Sequence, residues 1–215
     1  MKLDLTEESL LELVAKQLSN LFIYSAETEE SILRQALSQA LADSEVCFIP
    51  NPNKYYSDNG TARFNPFHSG QYCVFLYYLS RAAGKIAPAP SSLADRIYFL
   101  NKALNGCDLF HQIELPAIFR LDHPVGTVMG RAKYGNFFSF SQNCTVGNNN
   151  GIYPVIGERV TMCSGAKIIG KCHIGNNVIL GANTCVKDTD VPDNSLVFGS
   201  SPQLIIKPNT RTPPW

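Results

Sequence analysis

From Val128 to Val186 the chain carries a six-residue rhythm that few folds can use. Counting from Ile156, every sixth position is apolar: Ile156, Met162, Ile168, Ile174, Leu180 and Val186. Four residues after each of the first five stands a small or β-branched residue, Val160, Ala166, Cys172, Val178 and Thr184. A helix repeats at about 3.6 residues and a strand at about 2, so neither explains the pattern. A period of six, with Gly, Asn or charged residues between, is a hexapeptide repeat: one short strand and one turn per hexad, two positions pointing inward, wound into a parallel β-helix. Ordinary β-hairpins are the competing reading, but hairpins rarely hold one phase through consecutive hexads. The same phase runs upstream through Val128, Tyr134, Phe140 and Val146, with Ala132, Phe138 and Cys144 as second inward positions. Between Val146 and Ile156 the step is ten. That is one hexad plus four polar residues, Asn148, Asn149, Asn150 and Gly151, looped out beside a functional surface.

Composition narrows the partners. At 215 residues the chain fits one large or two small domains. Its 18 basic residues balance 18 acidic ones, so no global field points to nucleic acid or a membrane surface. The seven cysteines are odd in number, and Cys144, Cys163, Cys172 and Cys185 lack metal-ligand spacing. They read as small buried hydrophobes in a reducing cytoplasm, with no metal expected. Met1 to Asn20 contains acids and no long apolar run, so neither a signal peptide nor a membrane span is expected and the assigned location is cytoplasmic.

The predicted class is α+β: a helical domain over 1–105, a β-helix over 106–196 and a tail over 197–215. Leu5, Leu10, Leu13, Val14 and Leu18 recur at helical spacing, and Thr6-Glu7-Glu8-Ser9 suits a helix start. A second helix is capped by Thr28 and buries Ile32, Leu33, Ala36, Leu37, Ala40 and Leu41, giving way to loop after Asp43. A third, over Ser69 to Ala83, is rich in aromatics, Tyr72, Phe75, Tyr77 and Tyr78, which suits either burial against another subunit as well as its own domain or an internal core helix. Gly84 and Pro88-Ala89-Pro90 end it. Ser91 or Ser92 begins a fourth, through Tyr98, Leu100 and Leu104, closed by Gly106. Because a β-helix has open ends, the helical domain and a tail folding back from Val197 are expected to cap it.

The interior of such a rod is dry, so chemistry belongs on its outer face or where rods pack together. Asp122-His123 interrupts the strand pattern directly before the clean hexads. A near-neutral histidine can take a proton from an alcohol as it attacks, and a carboxylate on its other nitrogen fixes the tautomer. Asp108, fifteen residues earlier, is the candidate carboxylate, on an adjacent coil near the same edge. Taken alone, an Asp-His dipeptide is more often structural than catalytic.

The stretch Leu121-Asp122-His123-Pro124-Val125-Gly126 followed by Val128-Met129-Gly130 resembles the L-D-H-x-x-G-x-V-x-G motif of serine acetyltransferases, within the left-handed β-helix hexapeptide acyltransferases. Ser164-Gly165-Ala166-Lys167-Ile168-Ile169-Gly170 is similar to the same family's G-A-G-A-K-I-L-G coil, and Phe67-His68-Ser69-Gly70-Gln71-Tyr72 more loosely to its F-H-A-x-Q-A-Y segment. The resemblance spans about Asn51 to Lys207. It implies a left-handed β-helix and an acetyl-CoA-dependent acyltransferase with His123 as general base, Asp108 orienting it and Asp122 holding the acceptor. It further implies an oxyanion donor at the Asn148 amide and a pantetheine groove lined by Ser164, Gly165, Gly181 and Ala182. Lys167, Lys171, Lys187 and Lys207 are candidate phosphate partners. No cysteine nucleophile is needed.

Departures from the family pattern bear on the acceptor. The family loop carries D-R-H-P, whose Arg-His pair holds the serine carboxylate; here it is shorter and reads Gly151-Ile152-Tyr153-Pro154. The family's acid-containing D-P-A reads Asn51-Pro52-Asn53. Tyr153 and the loop around Tyr55 and Tyr56 suit a sugar face, so the expected acceptor is a sugar hydroxyl of a surface polysaccharide or its precursor. L-Serine in cysteine biosynthesis and a non-catalytic scaffold are the alternatives, the chain's ending Thr210-Arg211-Thr212-Pro213-Pro214-Trp215 departing from the aliphatic end expected of the former. The resemblance and the rod's flat faces imply a homotrimer, with pairing of trimers left open.

Overall fold

The structure, a computed structural model, describes residues 1–87 and 92–210. Pro88, Ala89, Pro90 and Ser91, expected at a helix boundary, lie outside the described residues, as does the chain end from Arg211. The chain divides into two compact units, one of Met1–Asn105 with Leu109–Gln112, the other of Gly106–Asp108 with the chain from Ile113 onward.

The helical unit contains α1 (Glu7–Leu21), α2 (Ala26–Phe48), α3 (Ser69–Ile86) and α4 (Ser92–Asn105). Thr6 caps α1, its side chain accepting from Ser9 N at 3.1 Å. Ser25, not Thr28, occupies the N-cap of α2. That helix also outruns the predicted stop at Asp43, because Ser44, Cys47 and Phe48 prolong the buried stripe begun by Leu33, Ala36, Leu37, Ala40 and Leu41. For α3 the internal-core alternative holds: Tyr72, Phe75, Tyr77 and Tyr78 are all buried within their own unit, and residues 71–80 are all buried. α3 is therefore the unit's central helix. It passes through Gly84, where a Cβ would stand 3.0 Å from the His111 ring, so glycine here admits the returning segment 109–112 rather than ending the helix. α4 runs through Tyr98, Leu100 and Leu104 as expected, with Leu100 buried and Leu104 exposed.

Sequence reading also missed a small sheet. Ser57–Asp58 and Thr61–Phe64 pair antiparallel around Asn59-Gly60, both with left-handed φ, and Lys2–Leu3 adds a parallel strand. Asn-Gly between short strands is the sequence signature of such a turn.

The second unit is the parallel β-solenoid. Val155 pairs with His173, Thr161 with Ile179 and Lys167 with Cys185, so one coil takes 18 residues on three faces. One coil earlier the same positions pair with Lys133, Ser139 and Thr145, a spacing of 22 that locates the four inserted residues. All six counted hexad positions, and the five behind them, are buried.

Inward polar groups are satisfied at one corner. Thr127 and Thr184 donate to Ser141 O (2.8 Å) and Val197 O (3.1 Å), and Cys144 Sγ lies 3.2 Å from Cys163 O. A small side chain with a weak donor suits a position facing the carbonyls left over by the turn.

The upstream phase needs correction. Met129, 2% exposed, pairs with Val146, whereas Val128 is 42% exposed and pairs with Thr145. The corner after Met129 is one residue shorter than those above it, which shifts the phase by one and turns Val128 outward. Tyr134 is only half-buried, its hydroxyl donating to Gly130 O at 2.6 Å. At the other end the repeat continues through Val197, fully buried; Ser195–Ser200 then pairs antiparallel with Gln203–Pro208, the fold-back expected of the tail.

Ile168→Ala, at the centre of an inward column, is expected to cost about 2–5 kcal/mol in equilibrium denaturation. Val128→Ala, on the outward side, should change stability by no more than about 0.5 kcal/mol. Comparable losses for both would contradict the assigned phase.

Candidate active site

His123 occupies a corner unlike those above it. Leu121, Phe140, Met162 and Leu180 are register equivalents, and Gly126, Asn143, Gly165 and Asn183 each take the left-handed turn position that follows. Two residues separate the strand from the turn at the upper three corners; four, Asp122 to Val125, do so at the lowest. The bulge is tightly braced. Asp122 N donates to Phe140 O, Val125 N to His123 O at 2.8 Å, Gly126 N to Gly106 O and Asn143 N to Val125 O. His123 itself has φ +47°, a left-handed conformation that costs a side-chain-bearing residue about 1–3 kcal/mol and that is concentrated at functional sites. Its ring and the Asp122 side chain are exposed.

Asp108 lies one coil below, on the face adjoining this corner, its N–H donating to Thr127 O at 2.8 Å. Among the described residues the His123 ring enters no hydrogen bond, so carboxylate and imidazole are neighbours by coil without being joined.

The corner column above His123 is distinctive in its backbone. At the other two corners, side chains from the next coil close the amides: Asn176 Oδ1 accepts from Glu158 N, Asp193 Oδ1 from Asn176 N and Asp188 Oδ1 from Lys171 N, at 2.6–2.8 Å. On the His123 column, the N–H groups of Gln142, Ser164 and Ala182 have no acceptor among the described residues. The Gly165 and Gly181 amides, by contrast, are committed to Gln142 O and Val197 O. Of the expected groove-lining set, Ser164 and Ala182 have open N–H groups, as does Gln142 on the same column, whereas the Gly165 and Gly181 amides are engaged in backbone bonds.

Asn148 and Tyr153 sit at a different corner, across one solenoid face from His123. The insertion is an ordered hairpin: Asn149 and Ile152 exchange both backbone hydrogen bonds across Asn150 and Gly151, whose φ values are +51° and +77°. Asn148 Oδ1 accepts from Gly151 N, and among the described residues the Asn148 N–H has no acceptor. Asn149 Nδ2 reaches past the intervening coil to Asp188 Oδ2 at 2.6 Å. It passes Gly170, where a Cβ would lie 2.6 Å from the Asn149 Cβ and 2.1 Å from Asp188 Oδ1. Tyr153 and Ile152 remain 41% and 49% exposed. On the coil below, the same corner carries an exposed residue that sequence reading passed over, Arg131. Folding the hexads into three columns would have placed it beneath the hairpin.

Among the candidate phosphate partners, Lys167 Nζ donates to Gly165 O at 2.9 Å, whereas Lys171, Lys187 and Lys207 are exposed. Burial pushes the Cys144, Cys163 and Cys172 thiols up, which disfavours the thiolate and thus a cysteine nucleophile. Among the described residues no cluster of three or more His, Cys, Asp or Glu could hold a metal, and no helix is long and apolar enough to cross a membrane.

No family model matches the chain. It is 28% identical over 152 residues to a serine acetyltransferase of Helicobacter pylori, covering 65% of this chain and 83% of that one. Its fold matches the crystal structure of Neisseria gonorrhoeae serine acetyltransferase with a TM-score of 0.73 at 23% identity, covering 97% of this chain and 82% of that one. The complex of the Neisseria enzyme with serine aligns with a TM-score of 0.69 at 24% identity, over 95% and 84% of the two chains. A serine acetyltransferase complex with CoA aligns with a TM-score of 0.71 at 20% identity, over 92% and 84%. Sequence and fold together identify a serine acetyltransferase-like left-handed β-helix acyltransferase.

Asp188→Ala should release the hairpin from the upper coil. Hydrogen exchange at Ile152 N, protected by Asn149 O, is expected to accelerate while Ile168 and Val186 stay protected. Unchanged protection at Ile152 would show that the Asn149–Asp188 bond does not hold the hairpin.

Proposed function

We propose that the chain is an acetyl-CoA-dependent O-acetyltransferase whose acceptor is the hydroxyl of a small amino acid, L-serine first among them. The observation that carries the reaction is the braced His123 bulge at the foot of a column of open backbone amides. His123 takes the hydroxyl proton as the oxygen attacks the thioester carbonyl, and returns it to the departing thiolate. Asp108 orients the ring. The Asn148 N–H donates to the carbonyl oxygen as that oxygen gains charge. Gln142, Ser164 and Ala182 present N–H groups suited to the amides of an extended pantetheine, and the exposed Lys171 and Lys187 suit its phosphates.

His123 and Asn148 stand at two corners of one coil stack with a whole face between them. Three copies packed about an axis would set the His123 corner of one against the hairpin corner of the next, which supports a homotrimer with shared sites.

The names of the relatives favour serine over the sugar acceptor expected from the sequence, which none of them carries. Arg131 removes part of the objection. A guanidinium at the hairpin corner, one coil below the position where an arginine was sought, suits an acceptor carboxylate. A non-zwitterionic acceptor remains the second reading, because the hairpin itself, Asn148 to Pro154, contains no cation and exposes Tyr153.

Thiol release from acetyl-CoA, measured with L-serine, nucleotide sugars and acidic oligosaccharides, separates the two readings. L-Serine should give the highest kcat/KM. His123→Ala should lower it at least about 100-fold without loss of fold, and Arg131→Ala should raise KM for serine more than it lowers kcat. Turnover of sugars with none of serine would reverse the choice of acceptor, and full activity in His123→Ala would remove the reaction.

A further inference from the structure

We propose that the helical unit carries a binding pocket for a small free α-amino acid, with Arg63 taking the carboxylate and Asp4 the ammonium group. The pocket is formed within the helical unit alone, and its argument does not rest on the acceptor proposed for His123. It is lined by Asp4, Tyr55, Arg63, Asn65, His68 and Gln71 and has a volume of about 210 Å³. That is below the roughly 300–1,000 Å³ of sites for drug-sized ligands, and it suits a molecule of only a few heavy atoms.

The pocket is preorganised by Gln71, whose amide is engaged at both ends by the chain itself. Gln71, almost fully buried, donates from Nε2 to Tyr55 O and accepts at Oε1 from Asn65 N, both at 2.6 Å. It thereby fixes the two chain segments that form opposite walls. Strand pairing supplies the rest: Lys2 is in register with Arg63, and Asp4 N donates to Phe64 O at 3.0 Å, which sets Asp4 beside the Arg63 strand.

The groups left over define the ligand. His68 Nδ1 accepts from Gln71 N at 3.3 Å, so in the neutral ring the proton sits on Nε2, a donor. Asn65 Oδ1 accepts from Phe67 N at 2.8 Å, which leaves its NH₂. Arg63 and Asp4 share the pocket, yet among the described residues they form no ion pair with each other or with any other residue. Opposite full charges lining one small pocket but not neutralising one another match a ligand that carries both signs. Three donors gathered at Arg63, His68 and Asn65 suit a carboxylate, and the single carboxylate of Asp4 suits an ammonium. Asp4 is exposed and Arg63 half-buried, so both charges are open to a ligand arriving from solvent: a zwitterion can pair with both, a neutral sugar with neither, and a simple anion would be opposed by Asp4. The motif Phe67-His68-Ser69-Gly70-Gln71-Tyr72, which the reaction at His123 does not use, builds one wall of this pocket.

The test uses the full chain, titrated with glycine and followed by calorimetry and by ¹⁵N–¹H TROSY spectra. Saturable binding with shifts at Asn65, Phe67 and Gln71 is expected. Arg63→Gln and Asp4→Asn should each weaken it at least about tenfold with unchanged melting temperature, and Arg63→Lys should restore part of the loss. Arg131→Ala and His123→Ala should leave the shifts at Asn65 and Gln71 in place. Acetate, methylamine and glucose are the controls. The pocket is rejected if no shift occurs at these amides, if acetate or glucose produces the same saturable shifts as glycine, or if the Arg63 and Asp4 variants bind like the parent.

Discussion

Everything in the solenoid depends on making three tight corners in eighteen residues while leaving no backbone group stranded. The corners solve this with a left-handed residue, Asn143, Gly165 or Asn183 on one column, and with amide-to-carbonyl bonds from coil to coil. The requirement is steric before it is chemical. A Cβ at Gly165 would sit 2.3 Å from the Asn183 side chain above it, so neighbouring corners must be chosen together. Once the corners are set, the apolar columns follow, because most strands between them are only two or three residues long and offer one or two inward positions.

The same constraint explains where reactive groups can stand. At two columns, Asn and Asp side chains from the next coil seal amides such as those of Glu158, Asn176 and Lys171, and on one of these the hairpin interrupts the seal and leaves the Asn148 N–H open. On the third column the amides of Gln142, Ser164 and Ala182 are left open and the lowest corner swells by two residues to display His123. Strain at that histidine, bracing from the coils on either side and open donors in line with it all come from departures from one regular corner. A rigid frame of this kind supplies positioning, which acyl transfer needs more than it needs a covalent nucleophile.

Much of this was legible in the sequence, because period six has no competing explanation and the columns from Ile156 onward required no correction. The Asp122-His123 interruption and the four-residue insertion were equally plain. What escaped had local causes. A corner one residue short rotated Val128 outward and moved Met129 in, which no apolarity scale distinguishes when Val and Met are adjacent. The commitment of the Gly165 and Gly181 amides, and the freedom of those at Gln142, Ser164 and Ala182, depends on coil-to-coil bonds that spacing alone does not reveal. In the helical unit, α2 continued past Asp43 because burial of Cys47 and Phe48 outweighed weak helix formers. Arg131 was invisible until the chain was folded into columns, where a residue far from the expected motif in sequence came to the same corner.

The bond from Asn149 to Asp188 breaks the usual rule that a solenoid coil touches only its immediate neighbours. Repeat stacks open from their ends, one rung at a time, and a corner in the middle is ordinarily shielded from that fraying. Here the hairpin is tied two rungs up, to the coil on which the antiparallel ribbon of Ser195–Ser200 and Gln203–Pro208 is seated. The C-terminal ribbon thereby bears on the order of the hairpin, and His123, at the opposite end of the stack, lies outside that linkage.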